Sequence, residues 1–390
     1  MSEKSGREEA ENRMMIEGYR RVSRKSPCRV CGKPDWCSTT VDHNISFCAR
    51  SWTNADRLSR NGWGIYYNNL RRNFNFAKEL STSQHFYALR TPIASIERRD
   101  KIYRKLIQLS PLSKCDESSF GNEWISAQIR ELGRYGVFPK TTNERHRLVR
   151  SLIDSFVKDD AIVPAFNGVP GFWRGSNGSP RLGSDFDYDD DLLLIPFSDR
   201  DGLIQACQIR SMRGASNKAG KYLWLSSIRK PSGCGPGTPL HYQGADVFKG
   251  KTIETVLVTE GALKAATAQS FLTDRYVVAN SGVATSHQEI VKTARKKVLE
   301  IAFDADCFTN PHVARAMATL IALRIREQQF LSCDQPIRIL TWDRRFKGID
   351  DALIAGASLK YLDVSEWIRA LTPECFDGAS HQLAGISLSK

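Results

Sequence analysis

The sequence predicts an α/β protein in three parts. A parallel sheet with helices on both faces (residues 251–365) follows a mixed α+β lobe (96–250) and a small cysteine-bearing unit (1–67). Three observations predict this. From Thr252 onward, near-continuous apolar strands alternate with helical patterns, as parallel strands buried on both faces do. Before them, helical spacing gives way to strand-like runs broken by Gly, Pro and Ser. Four of the ten cysteines lie close together near the N-terminus, between Cys28 and Cys48.

Residues 1–26 are polar and basic, with a helix expected around Glu8–Arg20. The cysteine cluster runs into Arg57–Tyr67, where Trp63, Tyr66 and Tyr67 stand among Gly and basic residues. Residues 68–95, rich in Asn and Ser and weak in periodicity, read as a linker. Apolar residues three and four apart predict helices at Ile96–Leu109, Glu123–Tyr135 and Asn143–Val157. Residues 192–197 (LLLIPF) and 203–210 (LIQACQIR) read as strands. The later strands are 255–260 (TVLVTE), 276–281 (YVVANS), 298–306 (VLEIAFDAD) and 337–343 (IRILTWD), separated by helices at Ala262–Phe271, Ser286–Lys297 and Pro311–Gln328. The stretch 366–390 reads as a C-terminal tail, Ser- and Gly-rich and frayed from Asp377.

Charge narrows the function classes. The 390 residues carry 56 Lys and Arg against 43 Asp and Glu, a net charge of +13, which points to a polyanionic partner, nucleic acid first. No apolar run approaches the ~18 residues of a membrane helix, and the charged start lacks the core of a secretory signal. A cytoplasmic, nucleoid-associated protein with no membrane partner is expected. The six scattered cysteines read as ordinary buried thiols of a reducing compartment.

The cluster Cys28-Arg-Val-Cys31-Gly32 has the form of a zinc knuckle, in which two thiolates reach one Zn²⁺ and the glycine permits the turn beneath it. Cys48, ending the strand-like NISFC, supplies a third ligand. The fourth is Cys37 or His43, since a second CxxC is missing. Arg21, Arg24, Lys25, Arg50 and Arg57, with nearby aromatics, suit the ribbon to single-stranded nucleic acid, while a zinc staple that only stabilises a small unit is the alternative.

Three acidic features close predicted parallel strands, where open α/β sheets place their active sites. They are Glu260-Gly261, Asp304-Ala-Asp306 and Lys347-Gly-Ile-Asp350-Asp351. Read as a strand to Asp306, the second points both carboxylates to one face. Carboxylates gathered at one edge repel each other unless a divalent ion sits between them, and Mg²⁺ takes such oxygen ligands. An acidic pocket in a basic protein is what phosphoryl transfer on a nucleic-acid backbone needs. DYDDD (187–191), GSNGSP (175–180) and SGCGPG (232–237) read as solvated turns.

The order strand–Glu-Gly–helix, strand–Asp-x-Asp–helix resembles the Toprim domain of bacterial primases, topoisomerases and related nucleases. The resemblance extends over GYRRVSRKSPCRVCGKPDWC (18–37), RLSRNGWGIYY (57–67), IPFSDRDGLIQACQIR (195–210) and KYLWLSS (221–227) to Toprim proteins of plasmids, phages and integrated elements that carry a primase-type N-terminal zinc ribbon. It implies Glu260 as general acid/base, Asp304 and Asp306 as the pair binding Mg²⁺ or Mn²⁺, and Asp350 and Asp351 as an acidic element for a second ion. Arg210, Lys218, Lys221 and Lys347 become contacts to an incoming triphosphate or the template. Two departures stand out: the missing second CxxC, and the helix start ALKAATA, which lacks the tyrosine of cellular primases.

The resemblance thus implies a DNA primase, a nucleotidyltransferase of the DNA-directed RNA polymerase type that joins NTPs on single-stranded DNA in replication of a mobile element. With no GxxxxGK[ST] motif, a separate replicative helicase is the expected partner. A Toprim nuclease and a non-enzymatic zinc-containing replication initiator are the alternatives.

Overall fold

The computed structural model describes residues 19–34, 37–40, 45–50, 57–58, 63–67, 91–112, 134–159, 163–211, 222–228, 230–245, 250 and 252–384. They belong to two compact units, Met1–Tyr87 and Ala88–Lys390. The predicted helix Glu123–Tyr135 falls almost wholly outside the described residues, as do Lys218, Lys221, His43 and most of the 68–95 stretch.

The first unit is an antiparallel sheet ordered β1-β2-β3-β5-β4, built from β1 (Tyr19–Arg21), β2 (Ser38–Thr40), β3 (Ile45–Cys48), β4 (Arg57–Leu58) and β5 (Gly64–Tyr67). Of the helix expected over Glu8–Arg20, all but Tyr19 and Arg20 lies outside the described residues; those two belong to β1, with Arg20 opposite Thr39 of β2. Among the described residues the unit's buried apolar interior is Cys28, Cys37, Cys48, Val22 and Ala49.

The second unit begins with the helix Ile96–Leu109, capped by the Ser95 hydroxyl, which accepts from the Arg98 amide. The helix Thr142–Lys158 starts in a capping box between Thr141 and Glu144. Both pack on an antiparallel sheet ordered β11-β10-β9-β6, made of β6 (Gly136–Phe138), β9 (Leu192–Ser198), β10 (Ile204–Ser211) and β11 (Tyr222–Trp224); β7 (Phe172–Arg174) and β8 (Pro180–Leu182) form a separate pair. Alternation sorts the run at 192–197 onto two faces. Leu192 and Leu194 meet the helices, while Leu193, Ile195 and Phe197 pack on Ala262, Leu263 and Ala266 of the next layer.

That layer is a six-stranded sheet ordered β12-β14-β13-β15-β16-β17. Its members are β12 (His241–Tyr242), β13 (Thr255–Glu260), β14 (Tyr276–Asn280), β15 (Val298–Ala302), β16 (Ile337–Thr341) and β17 (Lys360–Leu362). The middle four are parallel, as their continuous apolar sequences require, and β12 and β17 close the edges antiparallel. The sheet is therefore mixed. Val256 and Val258 face a core with the helices His287–Thr293, Pro311–Leu331 and Pro373–Leu383, whereas Leu257 faces Ala262–Phe271 and Ile349–Ile354. Helices thus cover both faces.

Two expectations change. Residues 366–384 are not a frayed tail: Trp367 is buried, and the helix Pro373–Leu383 buries Cys375, Ala379 and Leu383, four residues apart, in the sheet core. The strand read through Asp306 ends at Ala302. Asp304 instead precedes a turn of 3₁₀ helix, Ala305–Phe308, and its carbonyl accepts from the Cys307 amide. No helix among the described residues is long and apolar enough to cross a membrane.

Candidate metal centre and acidic cleft

In the first unit the sulfurs of Cys28, Cys31, Cys37 and Cys48 all lie within 4.8 Å of one another. The Cys31–Cys37 and Cys37–Cys48 separations are 3.7 and 3.8 Å. A tetrahedron with Zn–S bonds of about 2.3 Å has edges of roughly 3.8 Å, so the four thiols fit zinc in number, chemistry and spacing. The knuckle is built by the backbone. The Gly32 amide donates to the Cys28 carbonyl, the Cys28 amide to the Lys33 carbonyl, and Gly32 turns at φ +68°, a conformation that favours glycine. The Ala49 amide donates to Cys37 Sγ at 3.4 Å, the kind of bond that steadies a thiolate ligand. Of the two options for the fourth position, Cys37 is therefore the residue that joins the cluster. Trp63 and Tyr66 are half-buried against the cysteines rather than splayed outward, whereas Arg21, Arg24, Lys25, Arg29 and Arg50 are exposed.

The acidic residues meet at the carboxyl edge of the parallel strands. Glu260 is the last residue of β13, and Gly261 turns the chain into the next helix at φ +88° with open space around it, so glycine serves conformation here and not clearance. Beside it on β14, Asn280 is fully buried, and neither side-chain amide atom has a partner among the described residues. The Ala305 amide donates to the Lys347 carbonyl, which ties the Asp304–Asp306 turn to the segment holding Gly348 and Asp350.

At the centre of this edge stands a residue that sequence reasoning passed over. Lys264, in the first turn of the helix Ala262–Phe271, forms an ion pair with Asp304, whose side chain is 10% exposed. Lys347 is largely exposed, with its Nζ 3.8 Å from the other Asp304 oxygen. Burial by itself would lower the Lys264 ammonium, but the carboxylates of Asp304, Asp350 and Glu260, Asp304 first, together outweigh it and hold the group above its ordinary range. Burial raises the Glu260 carboxyl; Lys264 partly offsets this, and Asp304 and Asp306 push the same way as burial. Asp350 is also raised by burial, against the pull of Lys264. Asp351, its neighbour, is exposed.

The edge keeps unused acceptors. Asp306 Oδ2 accepts from Asn310 Nδ2 at 3.0 Å, while Asp306 Oδ1 and Asp350 Oδ1 are buried with no hydrogen-bond partner among the described residues. Bare carboxylate oxygens of this kind suit an oxygen-seeking divalent cation such as Mg²⁺. Even so, the cysteine quartet is the one convergent metal-ligand set among the described residues; the acids are drawn together around Lys264 instead.

The antiparallel lobe supplies the facing wall. Arg210 of β10 and Tyr222 of β11 are register partners; the guanidinium donates to the phenol oxygen at 2.9 Å and lies 5.1 Å from the ring centre. Burial raises the Tyr222 hydroxyl, with Arg210 and Lys264 pulling it down and Asp350 adding to the rise. Tyr222 thus lies within electrostatic range of Lys264 and Asp350. Sequence reasoning named Arg210 but not Tyr222. The Asp187–Asp191 turn is structural: Asp187 accepts from the Thr142 amide and hydroxyl, and Asp191 from the Lys140 amide.

No family model matches the chain, and no curated protein matches it. Among the solved structures it resembles are primase domains. A DNA primase domain from Pseudomonas aeruginosa shares 17% identity over 60% of this chain and 65% of its own length, with a TM-score of 0.40. The zinc-binding and RNA polymerase domains of Aquifex aeolicus primase share 15% identity, with coverage of 96% and 92% and a TM-score of 0.43. The RNA polymerase domain of Mycobacterium tuberculosis primase DnaG shares 15%, with coverage of 75% and 99% and a TM-score of 0.46.

Proposed function

We propose that this chain is a primase-like nucleotidyltransferase that joins ribonucleotides on single-stranded DNA, with a zinc ribbon and a metal-dependent acidic cleft. The observation that carries the reading is the meeting of Glu260, Asp304 and Asp350 around Lys264 at the carboxyl edge of the parallel strands, with Asp306 in range of Glu260, opposite Arg210 and Tyr222.

Asp304, Asp306 and Asp350 would hold a divalent ion, with Glu260 at the margin; such an ion supplies charge neutralisation at the reacting phosphate. The chain's own side chains do the rest. Glu260, its carboxyl raised by burial, is suited to take a proton from an attacking 3′-hydroxyl. Lys347 and Arg210 offer cationic groups on either side of the cleft for an incoming triphosphate, and Tyr222 fixes the guanidinium against a ring face. The exposed arginines of the ribbon give the template a polycationic surface whose hold depends on salt.

Template-dependent incorporation of labelled NTPs on single-stranded DNA, with Mg²⁺ or Mn²⁺ titrated, tests the reading. Oligoribonucleotide products that vanish in Asp306→Asn support it. Shortening of DNA without NTPs would replace it with a nuclease, and binding without either reaction with a non-enzymatic initiator.

A further inference from the structure

Reading the acidic edge as a cation site leaves Lys264 without a role. It is the one charged residue of the helix Ala262–Phe271, in an otherwise alanine-rich sequence. Its side chain is 22% exposed, and its ammonium sits among Asp304, Asp350 and Glu260. The fold makes room for it. A Cβ on Gly348 would lie 2.2 Å from Asp350 Oδ1, 2.9 Å from Lys264 Cε and 3.3 Å from Lys264 Nζ. Gly348 has φ −110°, which any residue adopts, so the glycine is there for clearance.

A monovalent ammonium and a divalent ion want the same oxygens. Asp304 can serve Lys264 or the ion fully, not both, because two cations within a few ångströms repel strongly in a half-buried site. Meanwhile Asp306 Oδ1 and Asp350 Oδ1 have no hydrogen-bond partner among the described residues. The edge is therefore neutralised in part and left incomplete.

We propose that Lys264 is a built-in counter-cation that holds the acidic edge together in the absence of metal and is displaced from Asp304 when a divalent ion binds. It thereby weakens divalent binding and couples it to a movement of the lysine. The inference rests on the proposed function only in taking the acidic edge as a divalent-ion site. A lysine suits this exchange because its four-carbon stem swings freely, while the helix backbone need not move.

The test uses the full chain, Mg²⁺ and Mn²⁺ as probes, and binding rather than catalysis as readout. Calorimetric titration of wild type and Lys264→Gln should show the variant binding the ion about tenfold more tightly or better, since a site blocked most of the time loses affinity by its open fraction. Asp304→Asn should abolish that binding. In wild type, acylation of Lys264 by an amine-reactive reagent, followed by mass spectrometry, should speed up as Mg²⁺ is added; this measurement does not depend on how well the variant folds. Equal or weaker binding by Lys264→Gln, or acylation that Mg²⁺ leaves unchanged or slows, overturns the inference while leaving the metal site standing. Failure of both proteins to bind either ion overturns the inference and the reading of the acidic edge together.

Discussion

Replacing Asp304 and Asp306 one at a time with Asn separates two ideas about the acidic edge. If the carboxylates merely repel each other, either change should stabilise the metal-free protein. The structure assigns unequal consequences to the two. Asp304 is nearly buried and paired with the part-buried Lys264, so Asp304→Asn strands an ammonium. Breaking a fully buried pair costs ~3–5 kcal/mol and an exposed one ~0–1 kcal/mol. Lys264 is 22% exposed and can turn toward Asp350, and Lys347 is too exposed to matter, which places the cost at about 1–2 kcal/mol. For a unit of this size that is a fall in Tm of roughly 2–3 °C. Asp306 keeps one bond to Asn310 and has one bare oxygen, so Asp306→Asn should move stability by less than ~0.5 kcal/mol. Both variants should lose NTP incorporation. Thermal melts of the metal-free proteins, followed by incorporation assays at saturating Mg²⁺, read both effects. An Asp304→Asn protein that melts at or above the wild-type temperature refutes the ion-pair argument, and full incorporation by both variants refutes the catalytic one.

Four further outcomes are expected. Metal analysis should find one zinc per chain. Strong chelation, or Cys37→Ala, should unfold the first unit and leave the second folded, because zinc binding there is folding energy on the order of 10 kcal/mol. Acid should destabilise the second unit through His241. Burial lowers this imidazole to about 4, against the raising effect of its bond to Gln243, while the unfolded group titrates near 6.5. The unfolded chain takes up a proton that the folded chain refuses, so stability is full above 6.5 and falls by ~3 kcal/mol as pH drops to about 4; urea midpoints at the two ends, compared with His241→Gln, measure it. Gly348→Ala, which crowds Asp350 and Lys264, should lower incorporation by ~10–100-fold with a small change in Tm, and a wild-type rate would show that the clearance is idle. Single-stranded DNA binding should weaken steeply between low and physiological salt, as a +13 chain that releases counterions must; affinity indifferent to salt would contradict that.

Periodicity carried much of the architecture. Ile96–Leu109 and Ala262–Phe271 have the bounds their apolar spacing predicts, and the strand over 255–260 ends where Glu260 meets Gly261. These are local facts: side-chain alternation, a cap, a glycine that turns. The strand at 298–306 was legible only as far as Ala302, because apolar Phe303 continues the pattern while the backbone has already turned to cap the 3₁₀ segment. The helix at Pro373–Leu383 was hidden for the opposite reason, since Gly and Ser mask the i, i+4, i+8 stripe of Cys375, Ala379 and Leu383 that burial selects.

The sequence by itself placed four thiols within one short segment and acids at the ends of parallel strands. Both follow from chain-local spacing and from the rule that parallel strands present their carboxyl ends together. Only the tertiary structure decided the partners. Cys37 joins the quartet because β2 and β3 pair and bring Cys37 beside Cys48. Lys264 reaches Asp304, forty positions away, because β13 and β15 are neighbours and Gly348 clears the path. Which charge neutralises which is a matter of distance through space, and that distance is set by strand order and packing.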